Sequence, residues 1–185
     1  TINQALENDD LYVEIPFLEM MATRGVNASW GDFGEGFRWT GSNLWHGNKD
    51  ARQLLNQGFG PPLSGHYTLN PHAEDIDWQI EANFAGLVTP GMPDAAIDIA
   101  WRAGHVIGYG DGVYGGVAVA AMTSAAFFAE SVDEIIEAGR LSVPEGSQYR
   151  EMIDDVIAWS DEYPADWGKT WQKIEDKWGE QDRCP

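Results

Sequence analysis

Residues 113–129, Val-Tyr-Gly-Gly-Val-Ala-Val-Ala-Ala-Met-Thr-Ser-Ala-Ala-Phe-Phe-Ala, constrain the fold of this chain more than any other stretch. The run has no charged residue, and its length and spacing favour a buried helix. Gly115, Gly116 and the alanines give that helix small side chains, so neighbouring backbones can approach closely. We therefore predict that residues 113–129 form a central helix.

Helical spacing continues on the N-terminal side of this run. Apolar side chains recur three or four residues apart over residues 73–88, which predicts a helix there. Pro93 suits the first turn of a second helix, over residues 93–106. The breaker cluster Gly108-Tyr-Gly-Asp-Gly112 separates that helix from the central one.

The other predicted helices rest on the same spacing and on start signals such as Ser131 and Ser147. They cover residues 9–23, 49–56, 131–138, 147–163 and 167–178. Strict alternation over five or more residues, the pattern of a strand, is hard to find. The sequence thus predicts an all-α protein, with one domain spanning residues 1–185.

Two segments lack a helical pattern. Residues 30–47 are rich in glycine and tryptophan, and we interpret them as irregular backbone on which aromatic side chains pack. Residues 58–71 contain several Gly and Pro residues, which predicts a loop.

Composition excludes some classes of partner. The 185 residues include 30 Asp and Glu against 11 Lys and Arg, a formal net charge of −19. Nucleic acids and anionic membranes are bound through clustered basic residues, so neither is expected as a partner. The acidity indicates solubility, adaptation to salt, or carboxylates that hold cations.

Cys184 is the only cysteine, so no internal disulfide can form. The weakly polar run over residues 117–129 is too short to span a bilayer. The first residues show no basic start followed by an apolar core, as an export signal would. A cytoplasmic location is expected.

Two acidic motifs are candidate cation sites. Asn8-Asp9-Asp10 groups oxygen ligands at a predicted helix start, which suits Mg²⁺, although acids also favour helix starts without a ligand. Asp75 and Asp77 are two residues apart. On a regular helix their side chains diverge and cannot share one ion, so we expect a solvated first turn.

The segment from Gly104 to Gly116 is a candidate ligand site. Glycines before a helix start offer backbone donors to an anion such as a diphosphate, but the spacing matches neither common nucleotide loop. His105 alone is typical of a structural histidine. The preceding loop, with His66, Asn70 and His72, is expected at a pocket rim, and its histidine spacing fits no common zinc site.

Several stretches together carry a family resemblance: Glu7-Asn-Asp-Asp-Leu-Tyr-Val-Glu14, Leu44-Trp-His-Gly-Asn48, Pro61-Pro-Leu-Ser-Gly65-His66, residues 73–86, residues 104–116 and Pro164-Ala-Asp-Trp-Gly-Lys-Thr-Trp171. They resemble the ADP-ribosylglycohydrolase family, in a bacterial subgroup. The resemblance covers most of the chain, and residues 73–86 are its most specific part.

The resemblance implies a compact, all-helical orthogonal bundle that holds two Mg²⁺ ions. Such proteins hydrolyse the N- or O-glycosidic bond to the terminal ribose of ADP-ribose, so an ADP-ribose-like molecule or an ADP-ribosylated protein is the expected partner. The implied metal ligands are Asn8, Asp9 and Asp10, with Asn8 in place of the family's hydroxyl residue. The predicted substrate-binding residues are Asn70, His105, Gly108, Gly110, Asp111, Gly112 and Tyr114. No catalytic residue is assigned.

The chain departs from the family at both ends. The family's second metal motif, Asp-x-Asp followed by a small polar residue, is expected downstream of Pro185, and an N-terminal helical region is expected before Thr1. This chain therefore resembles the centre of a family member with one metal half-site. We expect it to be inactive or nearly so by itself, and to self-associate through an exposed core face.

Two other functions fit the residues. Nine Trp and six Tyr could stack against a sugar or a base, which would suit a non-catalytic ligand-binding or interaction protein. A glycoside hydrolase with paired carboxylates is the other alternative. A Ser-His-Asp hydrolase is not expected, because Gly-x-Ser-x-Gly is missing.

Overall fold

The fold is known from a computed structural model that describes residues 8–179, and helix is the regular secondary structure throughout that range. The predicted all-α class is confirmed. Contacts divide the chain into two compact units, Thr1–Ser142 and Val143–Pro185. The single domain and the orthogonal bundle stay predictions.

The helices of the first unit have the following bounds: α1 Asp9–Tyr12, α2 Glu14–Arg24, α3 Trp30–Arg38, α4 His46–Asn56, α5 Asp77–Glu81, α6 Asn83–Leu87, α7 Pro93–Gly104, α8 Asp111–Ala125 and α9 Val132–Leu141. The second unit contains α10 Gln148–Glu162 and α11 Trp167–Trp178.

Helix α8 is central to the first unit, as its small residues predict. It packs against α5, α6, α7 and α9. Trp78 of α5 is 1% exposed, and its indole lies against Gly104 of α7 and Gly116 of α8. A Cβ at Gly104 would lie 2.5 Å from Trp78 Nε1, and one at Gly116 would overlap the same indole. Glycine is thus required on both helices that face Trp78.

A group of buried aromatic rings joins the N-terminal helices to this centre. The Phe17 ring of α2 stacks on Phe37 at 5.5 Å and on Phe84 at 5.9 Å between centroids. Its ring also meets the edge of Trp78, with 5.5 Å between centroids. These offset and edge-on arrangements are the favoured geometries of aromatic pairs, so they add to the stabilisation that burial alone provides.

The prediction of irregular backbone over residues 30–47 is confirmed for residues 39–45 and wrong for residues 30–38 and 46–47, which are helical. Residues 30–38 form α3, whose start is a capping box: Asp32 N donates to Ser29 Oγ at 3.2 Å, and Ser29 N donates to Asp32 Oδ2 at 2.8 Å. Helix α4 begins at His46, three residues before the predicted start. Because reciprocal capping satisfies two free N–H groups, it outweighs the poor helix propensity of the glycines in α3.

The helix predicted over residues 73–88 begins four residues late and is broken at Ala82. The Ala73 carbonyl accepts a hydrogen bond from Tyr109 N at 2.9 Å, so a tertiary contact uses an oxygen that a longer helix would need. The predicted central helix likewise ends at Ala125 rather than at residue 129. There the Ser124 carbonyl accepts from Gly91 N at 2.9 Å.

The helix predicted over residues 9–23 is broken at Val13, and the other predicted helix ends are confirmed within three residues. Pro93 is the first residue of α7, and Gly25, with φ of 87°, follows the last residue of α2. Ser131 accepts a hydrogen bond from Glu134 N at the start of α9, and Ser147 accepts one from Arg150 N at the start of α10. Each side chain satisfies an N–H group that has no partner within its own helix.

The two helices of the second unit pack on each other. Lys177 of α11 donates to Glu151 at 2.8 Å and to Asp155 at 2.5 Å, both on α10. Trp178 Nε1 also donates to Asp155, at 2.8 Å. Trp167, which belongs to the predicted aromatic face of α11, is 82% exposed in this structure.

None of the helices among residues 8–179 combines the length and apolar character that crossing a bilayer requires. Several large apolar side chains are exposed, including Phe127 and Phe128 just after α8. Self-association through such a face stays a prediction.

We expect Gly116→Ala to destabilise the fold by about 1–3 kcal/mol, because a new Cβ overpacks against the buried Trp78 indole. Urea denaturation followed by circular dichroism measures the free energy of unfolding. Gly31→Ala in α3 is the matched control, since its Cβ would meet only Ser29 Oγ at 3.7 Å. That variant should be as stable as wild type or more so. Equal stability of the two variants would contradict the packing described for Trp78.

Candidate functional site

The loop over residues 61–76 joins the predicted site segments to one another. Asn70 is fully buried, and its side-chain amide lies within hydrogen-bond distance of the Gly47, Ser64 and Ile107 carbonyls, at 3.1, 3.3 and 3.2 Å. The side-chain oxygen of Asn70, Oδ1, accepts a hydrogen bond from His72 N at 3.0 Å. Asn70 therefore holds the loop against the start of α4 and the α7–α8 turn.

The glycines of the α7–α8 turn allow close contact with this loop. A Cβ at Gly112 would overlap the Ala73 carbonyl, and one at Gly110, with φ of 56°, would overlap the Glu74 carboxylate. Asp111 N donates to that carboxylate at 3.4 Å. A carboxylate of the protein thus lies where we predicted that an external anion would meet the α8 start. Binding of a diphosphate there stays a prediction.

Seven aromatic and histidine rings form a connected group, which we call the aromatic cluster: Trp30, His66, Tyr67, Trp101, His105, Tyr109 and Tyr114. The His66 ring lies 4.3 Å from Tyr67 and 4.2 Å from Tyr109 between centroids. Trp101 lies 4.5 Å from His105 and stacks on Tyr114 at 6.1 Å. Tyr67 and Trp101 are 64% and 38% exposed, so part of the cluster faces solvent.

His105 is the buried centre of the aromatic cluster. Its ring stacks on Trp30 at 5.0 Å with 8° between planes and meets the edge of Tyr109 at 5.7 Å. Its Nδ1 donates to the Trp101 carbonyl at 2.7 Å, which leaves Nε2 as the acceptor in the neutral ring. Burial lowers the pKa of His105, and the hydrogen bond to Trp101 opposes that shift.

A second group of side chains, which we call the His46 cluster, contains His46, Asp75 and Asp77. Each residue offers one ligand atom, and these three atoms lie within 4.8 Å of one another. Our expectation that Asp75 and Asp77 diverge assumed a regular helix. The helix begins only at Asp77, and Asp75 lies in the preceding turn, so the two carboxylates converge.

Asp77 is the buried member of the His46 cluster, at 9% exposure. Its Oδ1 accepts from Asn48 N at 3.3 Å, whereas its Oδ2 has no hydrogen-bond partner among the described residues. Burial raises the pKa of the Asp77 carboxyl; the Asn48 hydrogen bond opposes the rise and the Asp75 charge adds to it. Asp75 is oriented by His72, whose Nδ1 donates to its Oδ2 at 2.7 Å.

The predicted substrate-binding residues fall into different surroundings. His105 and Tyr114 belong to the aromatic cluster, and Gly108 and Gly110 flank its Tyr109. Asn70, in contrast, is enclosed and hydrogen-bonded to backbone. Its contacts support a structural role and give no support to substrate contact.

The predicted metal motif begins α1. The Asn8 carbonyl accepts from Leu11 N at 3.2 Å, as expected of a residue that precedes a helix. The side chains of Asp9 and Asp10 lie outside the described part of the structure. Helix α1 packs against α5, so the motif and Asp77 are on neighbouring helices. Metal binding by Asn8, Asp9 and Asp10 stays a prediction.

Sequence reasoning missed His46 and the convergence of Asp75 with Asp77. The signal available was Asn70-Pro-His72, which marks a turn; in the structure the turn residues continue to residue 76, so Asp75 precedes the helix. No local signal pairs His46 with residues about 30 positions away, because only tertiary packing brings them together.

A groove of about 460 Å³ lies apart from these residues, lined by Tyr12 of α1, parts of α2 and α3, and the segment that follows α3. Its walls include Met20 and Trp39 together with the charged Arg24 and Glu35. None of the predicted site residues lines it.

The chain matches no family model, no curated protein and no solved structure.

We expect the free energy of unfolding to fall as pH is lowered from about 7.5 to about 5.5, through the usual histidine pKa. Burial lowers the His105 pKa, so below about pH 6.5 the unfolded chain binds a proton that the folded chain resists, which favours unfolding. Urea titrations across this range measure the effect. His105→Gln should show a smaller decline, and an unchanged decline would contradict the role given to His105.

Proposed function

We propose that this protein is a divalent-cation-dependent hydrolase of the ADP-ribosylglycohydrolase type. Its substrate is an ADP-ribose-like molecule or an ADP-ribosylated protein, and the bond cleaved is the glycosidic bond to the terminal ribose. The family part of this proposal rests on the sequence resemblance, and the ligand part rests on the aromatic cluster.

The aromatic cluster is the observation that carries the proposal. An adenine ring or the apolar face of a ribose binds well against aromatic side chains, because stacking buries apolar area and has a favoured geometry. Trp101 and Tyr114 stack with 18° between planes, and Trp101 is partly exposed. These rings adjoin His105, the residue that the resemblance places near ADP-ribose.

The chemistry of such a hydrolase suits an acidic chain. A bound divalent cation supplies polarisation of the ribose hydroxyls and orientation of a water molecule. By resemblance, Asn8, Asp9 and Asp10 would hold such an ion with amide and carboxylate oxygens, the ligands that Mg²⁺ prefers. The neutral His105 ring would offer Nε2 as an acceptor for a hydroxyl of the ligand.

A non-catalytic ligand-binding protein is the second candidate. It is favoured by the contacts of Asn70 and of the turn glycines, which serve packing between the loop and α8. In that case the aromatic cluster binds a sugar or base without a cation, and no bond is cleaved.

We expect Trp101→Ala to weaken ADP-ribose binding by about 1–3 kcal/mol, the usual value of one base stacked on one aromatic ring. Isothermal titration calorimetry with ADP-ribose, with and without Mg²⁺, measures the effect. Trp39→Ala is the matched control: Trp39 is a 70% exposed tryptophan that is not in the aromatic cluster, and its loss should leave the affinity unchanged.

Release of ADP-ribose is not expected from this chain by itself, so the Mg²⁺ dependence of binding separates the two candidates. ADP-ribose binding that requires Mg²⁺ and is lost in the Asp9→Ala, Asp10→Ala double variant supports the hydrolase type. Cation-independent binding of ADP-ribose that the double variant retains would favour the binding protein. Equal affinity of wild type and Trp101→Ala would count against both, because neither would then use the aromatic cluster.

A further inference from the structure

We propose that the His46 cluster is a binding site for a first-row divalent transition ion such as Zn²⁺ or Mn²⁺, held by His46, Asp75 and Asp77. This site goes beyond the proposed function and does not use Asn8, Asp9 or Asp10. It joins the start of α4 to the start of α5 through one ion.

The distances fit a shared ion. Ligand atoms lie about 2.0–2.2 Å from Zn²⁺, so two of them are roughly 3.4 Å apart in a tetrahedral site and roughly 4.2 Å apart when opposite each other in an octahedral site. The three candidate atoms already lie within 4.8 Å of one another. The Asp75 side chain is 40% exposed and His46 is exposed, so small rotations of these two suffice to close the site.

Asp77 supplies independent support, because it is buried with one oxygen that has no hydrogen-bond partner among the described residues. A buried carboxylate oxygen without a partner is costly, since it has given up its water without replacement. Coordination of a cation would satisfy that oxygen. The other oxygen remains fixed by the Asn48 N–H, so the free one is held in place.

The backbone around His46 also fits a binding site. His46 has φ of 39°, a left-handed conformation that is uncommon for a residue with a side chain and that tends to occur at functional sites. The next residue, Gly47, has no side chain, and a Cβ there would lie 2.9 Å from the His72 carbonyl and 3.6 Å from Asp77 Oδ2. Gly47 thus allows α4 to begin close to Asp77.

A second layer of contacts orients the ligands. His72 donates to one oxygen of Asp75 and leaves the other oxygen for an ion. The side chain of Asn48 donates from Nδ2 to Glu81 of α5 at 2.5 Å, and Glu81 is fully buried. This bond anchors Asn48, whose backbone N–H donates to Asp77. Hydrogen bonds of this kind are usual around metal ligands.

The donor set decides which ion is preferred. One imidazole with two carboxylates suits Zn²⁺ or Mn²⁺ better than Mg²⁺, which binds through oxygen alone and retains its waters. Three protein ligands also leave at least one coordination position for water, as in catalytic zinc sites.

The test is calorimetric titration of the whole chain with Zn²⁺ and with Mn²⁺, and with Mg²⁺ for comparison. Wild type should bind one Zn²⁺ or Mn²⁺ ion at this site more tightly than Mg²⁺, and the ion should raise the melting temperature. His46→Ala and Asp77→Asn should each lower the affinity by at least about tenfold, the loss seen even when outer partners of a metal site are removed.

Two control variants separate this site from other acidic groups. Asp133→Asn removes an exposed acid from the first turn of α9, and the Asp9→Ala, Asp10→Ala double variant removes the predicted motif. Both should keep the tight Zn²⁺ or Mn²⁺ binding. The double variant also distinguishes failure of this site from failure of the proposed hydrolase, which depends on Asp9 and Asp10.

The proposal is overturned if wild type shows no saturable Zn²⁺ or Mn²⁺ binding, or if His46→Ala and Asp77→Asn bind as wild type does. Asp77→Asn should fold without added metal, because the amide carries no charge to be desolvated. Should it nevertheless fail to fold, His46→Ala decides the question, since His46 is exposed and its loss leaves no cavity.

Discussion

The first unit depends on the packing of Trp78 against two helices that carry glycine where they face its indole. A tryptophan is the largest side chain, so a position that buries it completely needs a matching gap, and Gly104 and Gly116 provide that gap. This contact sets how closely α5 approaches α7 and α8. Because Asp77 precedes Trp78 directly, the same contact fixes the backbone from which the Asp77 carboxylate extends toward α4.

The loop over residues 61–76 contributes side chains to both the aromatic cluster and the His46 cluster. It is held by Asn70, whose amide reaches the carbonyls of Gly47 and Ile107, and by the bond from Tyr109 N to the Ala73 carbonyl. One part of the loop brings His66 to the aromatic cluster, and another brings Asp75 to the His46 cluster. The aromatic cluster and the His46 cluster therefore share one braced loop.

One acidic residue of this strongly acidic chain, Asp77, differs from the exposed acids in its surroundings. A net charge of −19 describes a solvated acidic surface, which would attract cations without selecting among them. Asp77 differs from that surface because it is buried, and its pKa is raised for that reason. A desolvated carboxylate beside an imidazole can select an ion by donor type and geometry, which exposed acids cannot do.

The sequence by itself determined the helical class, most helix starts and the central position of α8. These features follow from local causes: apolar spacing, serine caps, the proline at Pro93 and a run of small residues. It also placed His105 and Tyr114 in one candidate ligand segment, residues 104–116, and in the structure both rings contact Trp101. It failed over residues 30–38, where the Ser29 and Asp32 capping box formed a helix despite glycines that argue against one.

Only the tertiary structure decided where α5 begins and which side chains meet there. The Ala73 carbonyl bonds to Tyr109 rather than extending a helix, so Asp75 lies in a turn and its carboxylate converges with that of Asp77. His46 joins them across about 30 residues of chain because Gly47, the second residue of α4, fits against the His72 carbonyl. Local patterns record the preferences of neighbouring residues, whereas a site made of distant residues exists only when packing brings those residues together.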